Sequence, residues 1–493
     1  MNFAEAMRNE SHKTFTENGA TAYNTTSNAC VDLFGTIGAL RARRDVEIES
    51  LFAEAYKEDR LRATKILFYA RDIREGCGER RIFRVLIKYL AKYHPEALRP
   101  NLDLIGVYGR YDDLYELVGT PLEDDMWKAM KAQFEEDIKN YHRGNNISLL
   151  AKWIKTPDAS SKKTRELGIK TAIKLGYKVY DFKRLLRELR KHLNIVERLM
   201  STGQWDQISY STVPSRAMKI YENAFIRHDD KRYNTFINDA LRGKDKINAS
   251  TLFPYDLTMK IFNNQYSDTV EAQWRQLKNY VEPGTNAICV VDTSGSMFWE
   301  NKENKLPAGL AFASASGLGI YFAEHNTGAF HNMFMTFSSR SDIIELKGST
   351  LKEKYDCMRR ANVGMSTNIE AAFNNILDLA LKNNVPKDEM VKSLIIISDM
   401  EFDRCSDNRH WSFYDSMRAK FEKAGYELPN IVFWNVNSRN NVFHTDANKK
   451  GVQLVSGHSA TTFGQLVNSV GLTPAEMMYK VIDSERYESI TVE

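Results

Sequence analysis

Cysteine, proline and long apolar runs are all scarce in this 493-residue chain. Its five cysteines, Cys30, Cys77, Cys289, Cys357 and Cys405, are scattered and never spaced Cys-x-x-Cys, which argues against a disulfide framework and a thiolate zinc site. No segment reads as a signal peptide or is long enough to cross a bilayer; the most apolar runs, 287–291 and 394–397, have the length of buried strands. A soluble protein of the reducing cytoplasm, with no membrane partner, is expected. With only 11 prolines, 43% hydrophobic and 27% charged residues, a mainly disordered or collagen-like chain is excluded. The net charge of +4 is too small to imply an anionic partner, so local clustering must carry that argument.

The first half reads as helices. Apolar residues recur at three and four positions over 46–68, 82–92, 102–118 and 126–141, with Glu75-Gly76-Cys77-Gly78, His94-Pro95 and Gly144-Asn145-Asn146 between them. Successive helix pairs, HEAT-like or irregular, are expected over 1–280. Within them, 152–191 carries thirteen Lys and Arg against four Asp and Glu, interleaved with Trp153, Tyr177, Tyr180 and Phe182. Lys152, Lys155, Lys162, Lys163, Arg165, Lys170, Arg184, Arg187, Arg190 and Lys191 are candidate phosphate contacts beside stacking surfaces. The alternative is a helix pair with a buried aromatic side and solvated lysines. Further helices fit 215–225 and 235–241.

After Glu282-Pro283-Gly284 the pattern changes to alternating strands and helices, so a second domain is expected over 285–493. Strands fit 287–292, 329–338, 342–346, 393–399 and 430–437; helices fit 306–325, 351–360, 368–382 and 412–424. Apolar runs without alternation imply strands covered on both faces, hence a mostly parallel, doubly wound sheet with its ligand site beyond the carboxyl ends.

Asp292-Thr293-Ser294-Gly295-Ser296 ends the first buried strand, Thr367 precedes a helix in Gly364-Met365-Ser366-Thr367-Asn368, and Asp399 ends the 393–399 strand. One or two carboxylates with neutral hydroxyls suit a hard divalent cation that keeps open positions. These segments resemble the metal-ion-dependent adhesion site of von Willebrand factor A domains. The resemblance implies that Asp292, Ser294, Ser296, Thr367 and Asp399 hold Mg²⁺, Asp399 directly or through water, and that a partner carboxylate completes the shell. No histidine or lysine lies in these segments to act as a base, and Lys302, Lys305, Glu401 and Asp403 read as solvated loop charges. Asp-Thr-Ser-Gly departs from an aspartic-protease motif, and there is no phosphate-binding Gly-x-x-x-x-Gly-Lys loop. Ser456-Gly457-His458-Ser459 reads as a polar loop, and His444 with Asp446 as a capped turn. No enzyme activity is expected.

A helical half followed by an adhesion-site domain resembles the Ro autoantigen (TROVE) family. Stretches 70–81 (ARDIREGCGERR), 109–114 (GRYDDL), 158–163 (DASSKK), 203–206 (GQWD) and 247–256 (INASTLFPYD) are closer to its poorly characterised sister family of the same layout. The resemblance implies a helical ring bridged by the adhesion-site domain, with RNA ends or small noncoding RNA as partners. It adds Arg71, Arg74, Arg80 and Arg81 as candidate RNA contacts, unless they form an internal ion-pair network. The leading expectation is a noncatalytic, Ro-like RNA-binding protein with a Mg²⁺ site; the alternative is an assembly subunit that captures a partner carboxylate and never meets RNA.

Overall fold

The apolar runs of the second half build one six-stranded sheet. In a computed structural model that describes Met7 and residues 12–336, 341–361, 367–404, 413–467 and 469–493, a hairpin of β1 (Lys13–Phe15) and β2 (Thr21–Tyr23) precedes the helices. The large sheet comprises β3 (Ala287–Val291), β4 (Met333–Thr336), β5 (Ile343–Glu345), β6 (Ser393–Ser398), β7 (Asn430–Asn435) and β8 (Val452–Ser456), in the order β5-β4-β3-β6-β7-β8. All its pairs are parallel except β4 with β5. From β3 the chain winds outward to β4 and β5, then returns to the other side of β3 with β6. The reversal leaves a crevice beyond the carboxyl ends of β3 and β6.

The period-2 side-chain rule divides the strands between two cores. Ile288, Val290, Leu394, Ile396, Phe433 and Leu454 join one face; Cys289, Val291, Ile395, Ile397, Trp434 and Val455 join the other. Each such aliphatic side chain contributes roughly 1.5–3 kcal/mol when fully buried.

Helices α1 (Ala29–Thr36), α2 (Asp45–Glu58), α3 (Arg60–Arg71) and α4 (Arg80–Tyr93) share the first core, which continues through α5 (Glu123–His142), α6 (Lys162–Lys174) and α7 (Val179–His192). The single helix expected over 46–68 is divided at Asp59, whose carboxylate accepts from Arg62 N at 2.9 Å as an N-cap. Segment 102–118 is not one helix but the short turns Ile105–Tyr108 and Tyr111–Leu117, separated at Gly109 and Arg110. Conversely, the stretches expected at 215–225 and 235–241 are joined in α8 (Ser215–Leu241), kinked at Asp229. Then α9 (Pro254–Phe262) and α10 (Asp268–Arg275) pack in the second core against α11 (Leu310–His325) and α12 (Leu351–Arg360). α13 (Ile369–Lys382) and α14 (Phe413–Lys423) flank the first face, with α15 (Thr461–Val467) and α16 (Pro474–Ile482) closing the chain.

The helical half therefore leaves from one face of the sheet and returns to the other. Its beginning and end also touch: Arg41 Nη2 donates to Tyr255 Oη at 3.3 Å, and a Cβ at Gly78 would lie 2.7 Å from the Phe253 ring. Contact with β8 is close, since a Cβ on Gly38 would fall 2.5 Å from the Ser456 carbonyl oxygen. Ser456 and His458, expected on a polar loop, are instead buried at this junction. The C-terminal tail clasps the first helices: Arg486 pairs with Asp72 at 2.8 Å, and Asn101 exchanges two hydrogen bonds with the Thr491 backbone. Among the described residues no helix is long and apolar enough to cross a membrane.

Candidate metal centre

Parallel register brings the two aspartates to one crevice. Val291 faces Ile397, and Asp292 N donates to the Ile397 carbonyl at 3.0 Å, so Asp292 leaves the sheet beside Ser398 and Asp399. Asp292 Oδ1 accepts from Ser294 N at 2.9 Å and Oδ2 from Ser398 Oγ at 2.5 Å. The Ser294 and Ser296 hydroxyls lie 3.1 Å apart. Thr367 Oγ1 is 3.2 Å from the Glu401 carbonyl oxygen, while Glu401 N donates to Asp399 Oδ1 at 3.3 Å, so the Thr367 and Asp399 segments meet at Glu401. The remainder of the segment expected before the helix, Gly364, Met365 and Ser366, lies outside the described residues.

Both aspartates are buried, at 0% and 2% exposure. Burial, and after it the negative charge of Asp399, pushes the Asp292 carboxyl up to about 6. Two adjoining carboxylates with hydroxyls at their side, of which only Asp399 is paired with a cation of the chain, Arg439 at 2.9 Å, match the donor chemistry of a hard oxygen-seeking cation. Asp292, Ser294, Ser296, Thr367 and Asp399 fit such an ion in chemistry. Among the described residues no group of three or more His, Cys, Asp and Glu side chains is arranged to hold a metal.

Several neighbours were not legible as site residues. Arg439 Nη2 donates to Asp399 Oδ2 and Nη1 to Glu17 Oε2, both at 2.9 Å. It follows β7, next to β6, so its loop adjoins the Asp399 loop by the same topological rule; that was the available signal. Glu401 and Asp403 are not solvated loop charges. Glu401 is 2% exposed and accepts from Glu17 N (2.7 Å) and Asn440 Nδ2 (3.0 Å), because its strand-end loop is covered by the N-terminal hairpin. Asp403 accepts from Thr367 N at 2.6 Å. His444, expected in a capped turn, is buried against Phe402 and donates from Nε2 to the Met400 carbonyl at 2.9 Å. It thereby holds Met400 in a left-handed conformation, φ +68°, directly after Asp399.

The basic candidates divide into two sets. Arg71 does not belong to any surface: it is 4% exposed and pairs with fully buried Asp113 at 2.8 Å. Arg81 binds the Arg41 and Arg43 carbonyls and Asp45, and Arg190 donates to the Ala151 and Ile154 carbonyls at 2.8 and 3.1 Å. Arg74 donates to the Val107 carbonyl but stays exposed, as does Arg80. Lys152, Lys162 and Lys170 pair with Glu197, Glu166 and Glu123, and Lys155 lies over the Tyr115 ring. The Lys170 contact holds the Glu123 carboxyl down to about 2. Lys163, Arg165, Arg184, Arg187 and Lys191 are exposed.

Comparison with known proteins gives the following. The domain of unknown function DUF2828 matches residues 16–134 and 166–284, and the domain of unknown function DUF7788 matches residues 286–488. The uncharacterized protein L728 of Acanthamoeba polyphaga mimivirus is 32% identical over 512 aligned residues, covering 95% of this chain and 87% of that protein. Among solved structures, the Ro (RSR) protein of Deinococcus radiodurans aligns over 90% of this chain and 92% of its own, with 13% identity and a TM-score of 0.41.

Proposed function

We propose, for a chain that belongs to the family of the mimivirus protein L728, a noncatalytic, Ro-like RNA-binding role. Single-stranded RNA ends or small structured noncoding RNA would be gripped on the helical surface, beside a Mg²⁺ adhesion site. One observation carries the reading. On α7, Tyr180, Arg184, Arg187 and Lys191 are all exposed, Tyr180 at 76%, while Phe182, Leu186 and Leu189 are buried. At roughly 100° per residue the four fall within about 60° of the helix circumference and span about 16 Å of its length. Three cations and an aromatic face in one stripe suit a strand whose phosphates bind by charge and whose bases stack.

Asp292, Ser294, Ser296, Thr367 and Asp399 would hold the Mg²⁺. When bound, the ion would offer an electropositive position to an acidic partner segment. This chain's own part is to present the hydroxyls, through the turn after β3, and to fix Asp399, through His444 and Met400.

Gel shifts of structured RNAs with and without single-stranded tails, at several salt concentrations, test the RNA reading. Tailed RNA should bind more tightly, and affinity should fall steeply with salt. Absence of binding at low salt defeats it. The second reading, a metal-dependent assembly subunit that does not bind RNA, is favoured by the pairing of Lys152, Lys162 and Lys170 with carboxylates. Asp292→Ala separates the two: loss of a copurifying protein, with no nucleic acid bound by either form, favours assembly.

A further inference from the structure

The turn between β1 and β2 lies on the loops of the candidate metal centre. Thr16 Oγ1 donates to the Phe402 carbonyl at 2.6 Å, and Glu17 N to Glu401 Oε2 at 2.7 Å. Asn18 Nδ2 donates to the Glu401 carbonyl at 2.6 Å and to Thr367 Oγ1 at 3.3 Å. The Glu17 carboxylate accepts from Asn440 Nδ2 at 2.8 Å and from Arg439 Nη1 at 2.9 Å. Through these bonds the turn engages two of the five site residues, Thr367 through Asn18 and Asp399 through Arg439.

The turn and its stem are held differently. The stem is anchored by buried Ala22 and by reciprocal backbone hydrogen bonds between Tyr23 and Phe443, at 2.8 and 2.9 Å. The turn has no comparable apolar anchor. Glu17 and Asn18 are exposed, and Phe15 beside them is 70% exposed. Thr16 and its acceptor loop at Glu401 and Phe402 are buried, but the contacts made by the exposed Glu17 carboxylate and Asn18 amide exchange readily for contacts with water, so the turn beyond Thr16 can lift while the stem stays.

We infer that this turn is a latch over the metal site, held through Arg439, which serves Asp399 as an internal counter-cation. The inference rests on the reading of Asp292, Ser294, Ser296, Thr367 and Asp399 as a cation site. A divalent ion entering beside Asp399 repels the guanidinium that bridges Asp399 to Glu17. Metal binding and release of the turn are therefore linked, and by reciprocity a free latch strengthens metal binding. An acidic segment from a partner protein fits the position that Glu17 vacates on Arg439 and Asn440.

The test uses the full chain, with Mg²⁺ titrated by calorimetry and hydrogen–deuterium exchange followed over residues 12–24. Saturating Mg²⁺ should speed exchange of the Glu17 amide about tenfold and leave the Tyr23 amide unchanged. Arg439→Gln should bind Mg²⁺ about tenfold more tightly and show a fast-exchanging turn without metal. Glu17→Gln, which keeps the Arg439 to Asp399 contact, should show the fast turn with a smaller gain in Mg²⁺ affinity than Arg439→Gln, and serves if Arg439→Gln fails to fold. Wild-type protein that binds Mg²⁺ with unchanged turn protection overturns the latch and spares the metal site. So does Arg439→Gln with unaltered or weaker affinity, or Glu17→Gln with wild-type protection. Absence of Mg²⁺ binding in every form overturns the metal site and the latch with it.

Discussion

Two arginine-rich regions of the helical half look alike in composition and differ in everything else. Around Asp113, Arg71 and Arg84 converge on one fully buried carboxylate at 2.8 and 2.6 Å, and Arg84 also reaches Asp112 and Glu116 at 3.1 and 3.0 Å. On α7, Arg184 and Arg187 stand exposed beside Tyr180. The first set joins α3, α4 and the turn Tyr111–Leu117; the second is open to an outside anion. What separates them is the carboxylates within reach, so a count of positive residues says little about which of them can meet a ligand.

The largest effect that would sharpen this contrast is expected at the buried set. Asp113→Ala strands the Arg71 guanidinium in the interior, while Arg84 keeps Asp112 and Glu116, and should cost about 3–5 kcal/mol of stability, read as a lowered denaturation midpoint. An exposed Asp113 would break the comparison by giving almost no loss. Next is a buried group of the other half: burial pushes the His444 imidazole down to about 4 from the ordinary 6.5, so the folded protein holds it neutral. The unfolded chain binds more protons between those values, so stability is full above pH 6.5 and falls as pH drops towards 4. This contribution should reach roughly 3 kcal/mol, and His444→Phe should remove it from a pH series of thermal melts, leaving the part due to His458, which burial also pushes down.

The exposed set should behave in the opposite way. Arg184→Glu with Arg187→Glu should leave the melting temperature almost unchanged and weaken tailed-RNA binding on the order of a hundredfold at low salt, lowering the log–log salt slope by at least about 1.4. Tyr180→Ala should cost about 1–3 kcal/mol of RNA affinity through lost stacking. The smallest change is expected from Lys170→Ala, because Glu123 already occupies that ammonium at 2.5 Å. A Lys170 effect as large as that of Arg187 would mean that a neighbouring carboxylate does not decide which cations meet RNA.

Much of the α/β half was legible because strand and helix periodicity is a local property. The expected 351–360 helix is α12 at the same bounds, and 393–399 and 430–437 contain β6 and β7 with only their ends trimmed. β8, α15 and α16 were missed, and so was the N-terminal hairpin, whose strands are three residues each and too short for alternation to register. At the site, Asp292 and Asp399 were legible from their places after buried strands. Arg439, Glu17 and Asn18 were not, since no spacing rule links residue 17 to residue 399.

The sequence alone determined where apolar runs begin and end, and with them a helical half, a mostly parallel sheet and two aspartates at strand ends. Tertiary structure alone decided which charges face one another: Arg71 sealed on Asp113, Arg439 set between Asp399 and Glu17, and Arg187 left open. The reason is physical. Side-chain periodicity acts between near neighbours along the chain, whereas a Coulomb interaction depends on distance and surrounding medium and is indifferent to how many residues lie between its partners.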